Sequence, residues 1–253
     1  MEENNKELTL EEKHRMILDI MKDIDRFCRD NNIRYTLSSG TLLGAVRHGG
    51  FIPWDDDADL FMLREDFDRF VNSYKSDRYK LVYNFDNEDK LCPSGIAKVA
   101  DTTTWQRDST GVLDFGVWVD VFPLESVPED PEECKKFMHK IMSVNNRIYH
   151  RRRHDLISIL KSYRHSFSWW MNRLNEIVHN NPYTDSPLVA HAVGSDNYRT
   201  VIPKKWFDNL GSIRFVDHDF MAFSDTDSYL KIVYGPDYMT PKKWSHNSKI
   251  YHK

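Results

Sequence analysis

Apolar residues near the start of the chain recur every three or four positions, and this spacing predicts an amphipathic helix over residues 10–29. Thr9 and Glu12 have the spacing of a capping box, in which each side chain accepts a hydrogen bond from the backbone N–H of the other residue. The pattern then predicts a short strand over residues 33–37 and a short helix over residues 41–47.

Residues 57–62 alternate acidic with apolar side chains, and this period of two predicts a strand with Asp57 and Asp59 on one side. Pro123 and Pro128 are expected to end the strand-rich half of the chain. Between Pro131 and Asn180 neither glycine nor proline occurs, and the pattern is helical. The other predicted elements are a helix over 64–74, strands over 81–85, 96–100 and 117–122, and short strands from 182 onward with a helix over 226–233.

The chain has 253 residues, of which 40% are hydrophobic and 29% are charged. This length suits one large domain or two small ones, and the composition excludes the disordered and fibrous classes. We divide the chain into a strand-rich core over residues 1–128 and a mainly helical region over residues 129–253, whose short strands pack on that core within one continuous domain. The predicted fold class is α+β, a mixed sheet flanked by helices with a helical insertion or C-terminal half.

The charge pattern limits the kinds of partner. A net charge of −4 excludes a general nucleic-acid-binding protein. Residues 135–165 nevertheless hold nine basic residues and one acidic residue, a local charge of +8. This segment has three interpretations: contact with anionic lipid, contact with an anionic acceptor glycan, or an ordinary solvated helix face.

The cysteines and the apolar segments of the sequence indicate the cellular compartment of the protein. Cys28, Cys92 and Cys134 form neither a disulfide framework nor a zinc pattern, which is typical of a reducing compartment. The first residues lack the basic and apolar regions of a secretory signal, and no uncharged apolar run has the ~20 residues that span a bilayer. The sequence therefore predicts a cytoplasmic protein and leaves open a peripheral contact with the inner face of the membrane.

Four carboxylates lie within five residues, at positions 55, 56, 57 and 59. Hard divalent cations such as Mg²⁺ and Mn²⁺ prefer oxygen ligands, and Asp57 and Asp59 would lie ~6.6 Å apart on one side of a strand. The alternative is a solvated acidic turn. Asp120 lies within the apolar run 117–122, where a buried carboxylate needs a partner or a metal.

The turn at residues 38–40 opens the predicted short helix. A helix N-terminus at Gly40 and Thr41 can hold a phosphate through its backbone N–H groups. Metal ions held by Asp57, Asp59 and Asp120 would neutralise charge on the same phosphoryl group. This combination is typical of a metal-dependent phosphoryl or nucleotidyl transferase.

Residues 35–61 resemble the LicD family, which includes the fukutin-related proteins. The segment that carries the resemblance, residues 37–57, reads Leu-Ser-Ser-Gly-Thr-Leu-Leu-Gly-Ala-Val-Arg-His-Gly-Gly-Phe-Ile-Pro-Trp-Asp-Asp-Asp. The family often has a second glycine where Ser39 stands. Further matches are Lys98, Asp101, the run 119–124, Tyr234-Gly235 and Tyr238-Met239.

The resemblance implies a nucleotidyltransferase-like fold, with residues 1–128 as its catalytic core. The family's Ser-Gly turn, Asp-x-Asp pair and third acid map onto Ser39-Gly40, Asp57 with Asp59, and Asp120. Family members move a phospho-alcohol, often phosphocholine, from a CDP-activated donor to a glycan hydroxyl, and CMP leaves. We therefore expect a Mg²⁺- or Mn²⁺-dependent enzyme of polysaccharide decoration, with CDP-choline as donor and a glycan or lipid-linked glycan as acceptor.

The carboxylates receive specific roles. Asp57 and Asp59 are the expected metal ligands, and Asp120 is the third ligand or the base that takes the proton of the acceptor hydroxyl. Asp55 has the same strand parity and is an alternate ligand or a plain turn residue. Asp56 points the other way and is expected to be structural.

The donor is expected to contact Ser39, Gly40 and Thr41 in the phosphate-binding turn. Arg47 would pair with a donor phosphate through its forked guanidinium, or else form a salt bridge to the acidic loop. Lys98 would contact phosphate, or else be an exposed strand lysine.

Two other functions stay open from the sequence. The first is a nucleotidyltransferase that attaches a nucleoside monophosphate to a small acceptor and releases pyrophosphate. The second, from another class, is a non-catalytic glycan- or membrane-binding module that uses the basic helices and does not need the carboxylates. Trp54, next to the acidic loop, is a further candidate for cation–π contact with choline.

Overall fold

The computed structural model describes residues 6–83, 95–108, 111–152, 165–193, 201–241 and 249–252. The helices are α1 (Leu10–Asp30), α2 (Ser39–His48), α3 (Arg64–Ser73), α4 (Pro131–Arg152), α5 (Phe167–His179) and α6 (Thr226–Tyr234), with a 3₁₀ turn at Lys204–Phe207. The strands are β1 (Thr36–Leu37), β2 (Asp59–Leu63), β3 (Tyr79–Val82), β4 (Ala97–Asp101), β5 (Thr104–Asp108), β6 (Gly111–Leu113), β7 (Val117–Ser126), β8 (Leu188–Ala190), β9 (Val201–Pro203), β10 (Leu210–Phe215), β11 (His218–Phe223) and β12 (Ile250–His252).

A mixed sheet forms the centre of the fold, with strand order β1-β2-β7-β4-β3. Strands β2 and β7 are parallel, whereas β1 and β4 pair antiparallel with their neighbours. The far end of β7 also pairs with β8, which carries β9. The prediction of an α+β fold, with a nucleotidyltransferase-like mixed sheet flanked by helices, is confirmed.

Helix α1 follows the predicted pattern closely. Its capping box is present: Thr9 Oγ1 accepts the Glu12 N–H at 3.2 Å, and Glu12 Oε2 accepts the Thr9 N–H at 2.8 Å. The apolar stripe of the helix packs in the main core beneath the sheet, which α2, α3 and α6 also help to build. The helix predicted over residues 226–233 is likewise present, as α6.

The prediction that Pro123 ends the strand is wrong, because β7 continues to Ser126. The Asp120 N–H donates to Ala58 on the β2 side at 2.9 Å, so the nitrogen of residue 123 points to the opposite side. There the pairing with β4 has already ended at Val121. Proline therefore removes no ladder hydrogen bond at this position.

Two other boundaries differ from the pattern. Strand β2 begins at Asp59 instead of 57, so Asp57 lies in the preceding loop, and β1 contains only Thr36 and Leu37. The predicted strand 81–85 is observed as β3, which ends at Val82. Residues 84 and 85, Cys92, and most of the basic segment beyond α4 lie outside the described residues.

A second apolar cluster is formed by α4 and α5 together with side chains of β3, β4, β7 and β8. Phe122 packs against both this cluster and the main core. Cys28 and Cys134 are buried and free, one in each cluster. None of the helices in the described ranges is long and apolar enough to cross a bilayer.

Candidate active site

Asp59 and Asp120 are register partners on the parallel strands β2 and β7. Partners on neighbouring strands lie ~4.8 Å apart and point to the same face, so the fold brings these two acids together. The backbone of Asp59 is fixed on both sides: its N–H donates to Thr41 Oγ1 at 2.8 Å, and its carbonyl accepts the Ser38 N–H at 3.0 Å. The start of α2 thus holds the start of β2.

The acidic loop before β2 is anchored by helix α1. Lys13 Nζ lies 3.2 Å from Asp56 Oδ2, and both side chains are buried. His14 Nε2 lies 2.6 Å from the carbonyl oxygen of Asp55, and its ring stacks on Phe51 with centroids 4.1 Å apart. Asp56 is therefore held in a buried ion pair, in line with the structural role expected for it.

The carboxylates crowd one another. Loss of water around the carboxylate of Asp57, followed by the charges of Asp55, Asp120 and Asp56, raises the pKa of Asp57 to about 7. The residue as a whole is nevertheless exposed. Burial, followed by the charges of Asp57 and Asp120, also raises the pKa of Asp59 well above its ordinary value. The loop therefore carries more negative charge than its protein surroundings balance.

Asp120 differs from the other two because it has cationic and N–H partners. Its register partner on β4 is Lys98, whose buried ammonium forms an ion pair with Asp120 Oδ1. Trp118 Nε1–H donates to Asp120 Oδ2 at 3.0 Å. Lys98 Nζ also lies 4.2 Å from the centroid of the Trp118 ring. Lys98 is therefore not the exposed strand lysine of the alternative interpretation.

Asp56, Asp57, Trp118 and Asp120 line one pocket, with a volume of about 100 Å³. Among the described residues, no three acidic, histidine or cysteine side chains are arranged to hold a metal ion. The donor chemistry of Asp57 and Asp59 fits a hard cation, because both are oxygen ligands with uncompensated charge. Asp120 fits less well in this conformation, since the ammonium of Lys98 already balances its charge.

The predicted phosphate-binding turn lies next to the acidic loop. Ser39 has a left-handed φ of +46°, and its N–H donates to Tyr229 Oη at 3.1 Å. A Cβ added at Gly40 would lie 2.8 Å from Asp55 Oδ2, so the carboxylate of Asp55 reaches close to the backbone of the turn. Ser38 Oγ is buried without a hydrogen-bond partner. The turn and the acids therefore form one contiguous site.

Arg47 lies at the opposite end of α2 from this turn. Eight residues of helix separate it from Ser39, a rise of ~12 Å. Its Nη1–H donates to the carbonyl oxygen of Tyr238 at 3.0 Å, and its Nε–H donates to His48 Nε2 at 3.0 Å. The structure thus does not bring Arg47 together with the carboxylates, and its contact with a donor phosphate stays a prediction.

Four residues around the site were not identified from the sequence. Lys13 was visible in principle, because it falls on the apolar stripe of α1, where a lysine needs a buried partner. Trp118 was visible as well, two residues before Asp120 and on the same strand face. His14 and Tyr229 gave no signal, because only tertiary packing brings their elements to the acidic loop and the turn.

Comparison with known proteins assigns this arrangement to a family. Residues 32–154 match the family model described as LicD/FKTN/FKRP, nucleotidyltransferase domain. The matched range contains the turn, all the acids of the cleft, Lys98 and Trp118. The chain thus contains a domain that matches the LicD family model.

The LicD-family match is supported by individual relatives. The chain is 27% identical over 248 residues to the lipopolysaccharide cholinephosphotransferase LicD of Haemophilus influenzae, covering 92% of each chain. It is 42% identical over 77 residues to an uncharacterized protein of Rickettsia typhi, covering 29% of this chain and 25% of that protein. It is also 59% identical over 34 residues to the human ribitol 5-phosphate transferase FKRP, covering 13% of this chain and 7% of that protein.

Proposed function

We propose that this chain transfers a phospho-alcohol, with phosphocholine as the first candidate, from a CDP-activated donor to a hydroxyl group of a glycan. The observation that carries the proposal is the close packing of three carboxylates. Asp57 and Asp59 lie just before and at the start of β2, and Asp120 is the register partner of Asp59 on β7. The H. influenzae relative is named as a cholinephosphotransferase and the human one as a ribitol 5-phosphate transferase. Both names support transfer of a phospho-alcohol.

In the proposed reaction, the acceptor oxygen forms a bond to the phosphorus of phosphocholine. The bond from that phosphorus to the bridging oxygen of the pyrophosphate breaks, and CMP leaves with the electron pair. The proton of the acceptor hydroxyl passes to Asp120. The ammonium of Lys98 pairs with one oxygen of Asp120, and the indole N–H of Trp118 donates to the other.

We propose Mg²⁺ or Mn²⁺ as the cofactor, with Asp57 and Asp59 as ligands. A bound ion supplies positive charge that balances the phosphoryl oxygens. Asp120 was expected to be the third ligand or the base. We assign it the role of the base, because the Lys98 ammonium already balances its charge, and each of its oxygens accepts one hydrogen bond and keeps one lone pair for the proton.

The donor phosphates would lie at the start of α2, against the turn formed by Ser39, Gly40 and Thr41. The unpartnered hydroxyl of Ser38 supports this placement, because a bound phosphate oxygen would satisfy it. Lys98 has three N–H donors, so it can pair with Asp120 and still contact a phosphate. Arg47 would have to contact the donor from the far end of α2.

The acceptor is proposed to be a glycan or a lipid-linked glycan, modified in the cytoplasm. Basic side chains of α4, such as Lys135, Lys136 and Lys140, are exposed and suit contact with anionic lipid. A solvated helix face remains the simpler interpretation of the same charges.

The proposal is tested by incubating the protein with CDP-choline, CDP-ribitol or CDP-glycerol, Mg²⁺, and purified lipopolysaccharide as acceptor. We expect CMP release that depends on the acceptor and stops with EDTA, together with a phospho-alcohol on the glycan. Release of pyrophosphate from a nucleoside triphosphate, without CMP release from any donor, would instead support the nucleotidyltransferase. Glycan binding without turnover of either substrate class would support the binding module.

A further inference from the structure

The indole N–H of Trp118 forms a hydrogen bond with a carboxylate of the candidate site. Trp118 and Asp120 lie two residues apart on β7, so their side chains share one face of the sheet. The indole N–H uses this placement to donate to Asp120 Oδ2 at 3.0 Å. The other oxygen of the same carboxylate is held by Lys98 from the neighbouring strand.

The indole ring is itself held in place. Its register partner on β4 is Ala100, whose small side chain leaves room for a large neighbour. The ammonium of Lys98 lies over one face of the ring, and Phe115 packs edge-to-face at a centroid distance of 5.7 Å. A half-buried ring with these contacts presents its N–H to Asp120 in a fixed direction.

We propose that Trp118 is a positioning residue whose indole N–H fixes the orientation of the Asp120 carboxylate for the transfer reaction. The inference rests on the proposed function, in which Asp120 accepts the proton of the acceptor hydroxyl. The carboxylate of an aspartate can rotate about its Cβ–Cγ bond unless hydrogen-bond donors hold both oxygens. Lys98 supplies charge and one donor, and Trp118 supplies the second donor, which defines the plane of the carboxylate. Trp118 and Asp120 both line the pocket of the candidate site, where the acceptor hydroxyl would have to bind.

The kinetic test compares Trp118→Phe with the matched control Trp105→Phe. Both changes remove an indole N–H and keep an aromatic ring, but Trp105 donates to the carbonyl of His252, away from the carboxylates. With CDP-choline, Mg²⁺ and lipopolysaccharide, Trp118→Phe should lower kcat by about tenfold, which is the effect of one hydrogen bond to a charged group. KM for CDP-choline should change little, and the control should retain the wild-type kcat. Equal kcat values for the two variants would overturn the proposal.

A double-mutant cycle with Asp120→Asn separates positioning from a purely structural role. If Trp118 acts through the carboxylate, then Trp118→Phe should cause no further loss in the Asp120→Asn background. A second loss of the same size would show that the indole acts independently of Asp120, against the proposal. Wild-type turnover by Asp120→Asn would refute both the assigned base and its positioning residue. A strongly reduced residual rate in Asp120→Asn, together with an unaffected Trp118→Phe, would refute the positioning alone.

The hydrogen bond can also be measured without any substrate. The chain has seven tryptophans, and the two Phe variants assign the indole N–H resonances of Trp118 and Trp105 in a ¹H–¹⁵N spectrum. In the wild type the Trp118 resonance should be downfield and exchange slowly with solvent. Asp120→Asn should move it upfield and leave Trp105 unchanged. If the chemical shift of the Trp118 indole N–H does not change in Asp120→Asn, both the hydrogen bond and the proposal are contradicted.

Discussion

Ser39 adopts a backbone conformation that residues other than glycine rarely take, with φ of +46° at the first position of α2. Residues with a Cβ pay about 1–2 kcal/mol in this region. The LicD family often has a second glycine here, so the departure of this chain falls on a position where glycine suits the turn. The hydroxyl of Tyr229 holds the turn by accepting the Ser39 N–H.

Replacing Ser39 by glycine should therefore raise the free energy of unfolding. The gain should be less than about 1 kcal/mol, because glycine also loses more conformational entropy on folding. Urea denaturation of Ser39→Gly measures the change. Val216→Gly, which relieves a φ of +58° on a hairpin turn, serves as the control for strain at a second site. A loss of stability in Ser39→Gly, with a gain in Val216→Gly, would show that the serine side chain has a structural role.

The acids of the cleft were identified from the sequence because their signals are local. Asp57 and Asp59 lie in one short run, and Asp120 interrupts an apolar strand. Their partners were harder to predict. Lys98 was expected to contact phosphate, whereas strand pairing places it opposite Asp120. Register between distant strands is a property of the whole sheet and leaves no mark on the spacing of residues within one strand.

At the scale of elements, the periodic patterns predicted helices well and strand ends poorly. Helix α1 has many apolar residues at helical spacing and a capping box, so both signals predict the same helix start. Strand β7 extends past Pro123 because its neighbour on that side has already ended. Strand β2 starts late because the acidic loop is tied to α1 by the buried pair of Lys13 and Asp56. Both exceptions arise from contacts with other elements.

The buried ion pair of Lys13 and Asp56 predicts that Lys13→Met strongly lowers the free energy of unfolding. The substitution removes one partner of a buried ion pair and leaves Asp56 without its ammonium, at a cost of about 3–5 kcal/mol. Lys22→Met is the matched control on the same helix. Its partner Asp217 is exposed, so the expected change is within about 1 kcal/mol.

Chemical denaturation of the two methionine variants measures the difference. Similar losses in both would mean that the Lys13–Asp56 pair contributes no more than a surface pair. A double variant, Lys13→Met with Asp56→Leu, should recover most of the stability, because it leaves no unpaired buried charge.

At the scale of the whole molecule, His191 lies where the two apolar clusters meet. Its ring packs on Phe61 of the main core and on Phe122, with centroids 5.3 Å and 4.6 Å away. The ring is buried, and its Nε2 has no hydrogen-bond partner. Burial lowers the pKa of His191 to about 4. The junction between the clusters therefore requires the neutral imidazole.

This burial predicts a loss of stability in acid. The unfolded chain protonates His191 near pH 6.5, whereas the folded protein protonates it only near pH 4. Between these values the unfolded state binds more protons, so the free energy of unfolding falls as the pH falls, by up to about 3 kcal/mol. His191→Leu should remove this part of the slope. Asp57 acts in the opposite direction, because its raised pKa makes the folded state the better proton acceptor.

The comparison of wild type and His191→Leu at each pH isolates the histidine from Asp57 and the other groups. The difference between the two proteins should be constant above about pH 7 and change steadily down to about pH 4. A difference that does not vary with pH would mean that the imidazole has the same pKa in the folded and the unfolded protein, as a solvated ring would.

The central claim is that the carboxylate cleft carries metal-dependent phospho-alcohol transfer, and the rate of CMP release by Asp59→Asn tests it most directly. The measurement uses CDP-choline, Mg²⁺ and lipopolysaccharide, with Asp77→Asn, a change of an exposed loop acid, as the control for loss of one negative charge. Removing a ligand of the ion should cost several kcal/mol of charge stabilisation, so Asp59→Asn should release CMP at least about a hundredfold more slowly than the wild type. Asp77→Asn should match the wild type, and both variants should fold normally. A folded Asp59→Asn that releases CMP at the wild-type rate would contradict the account.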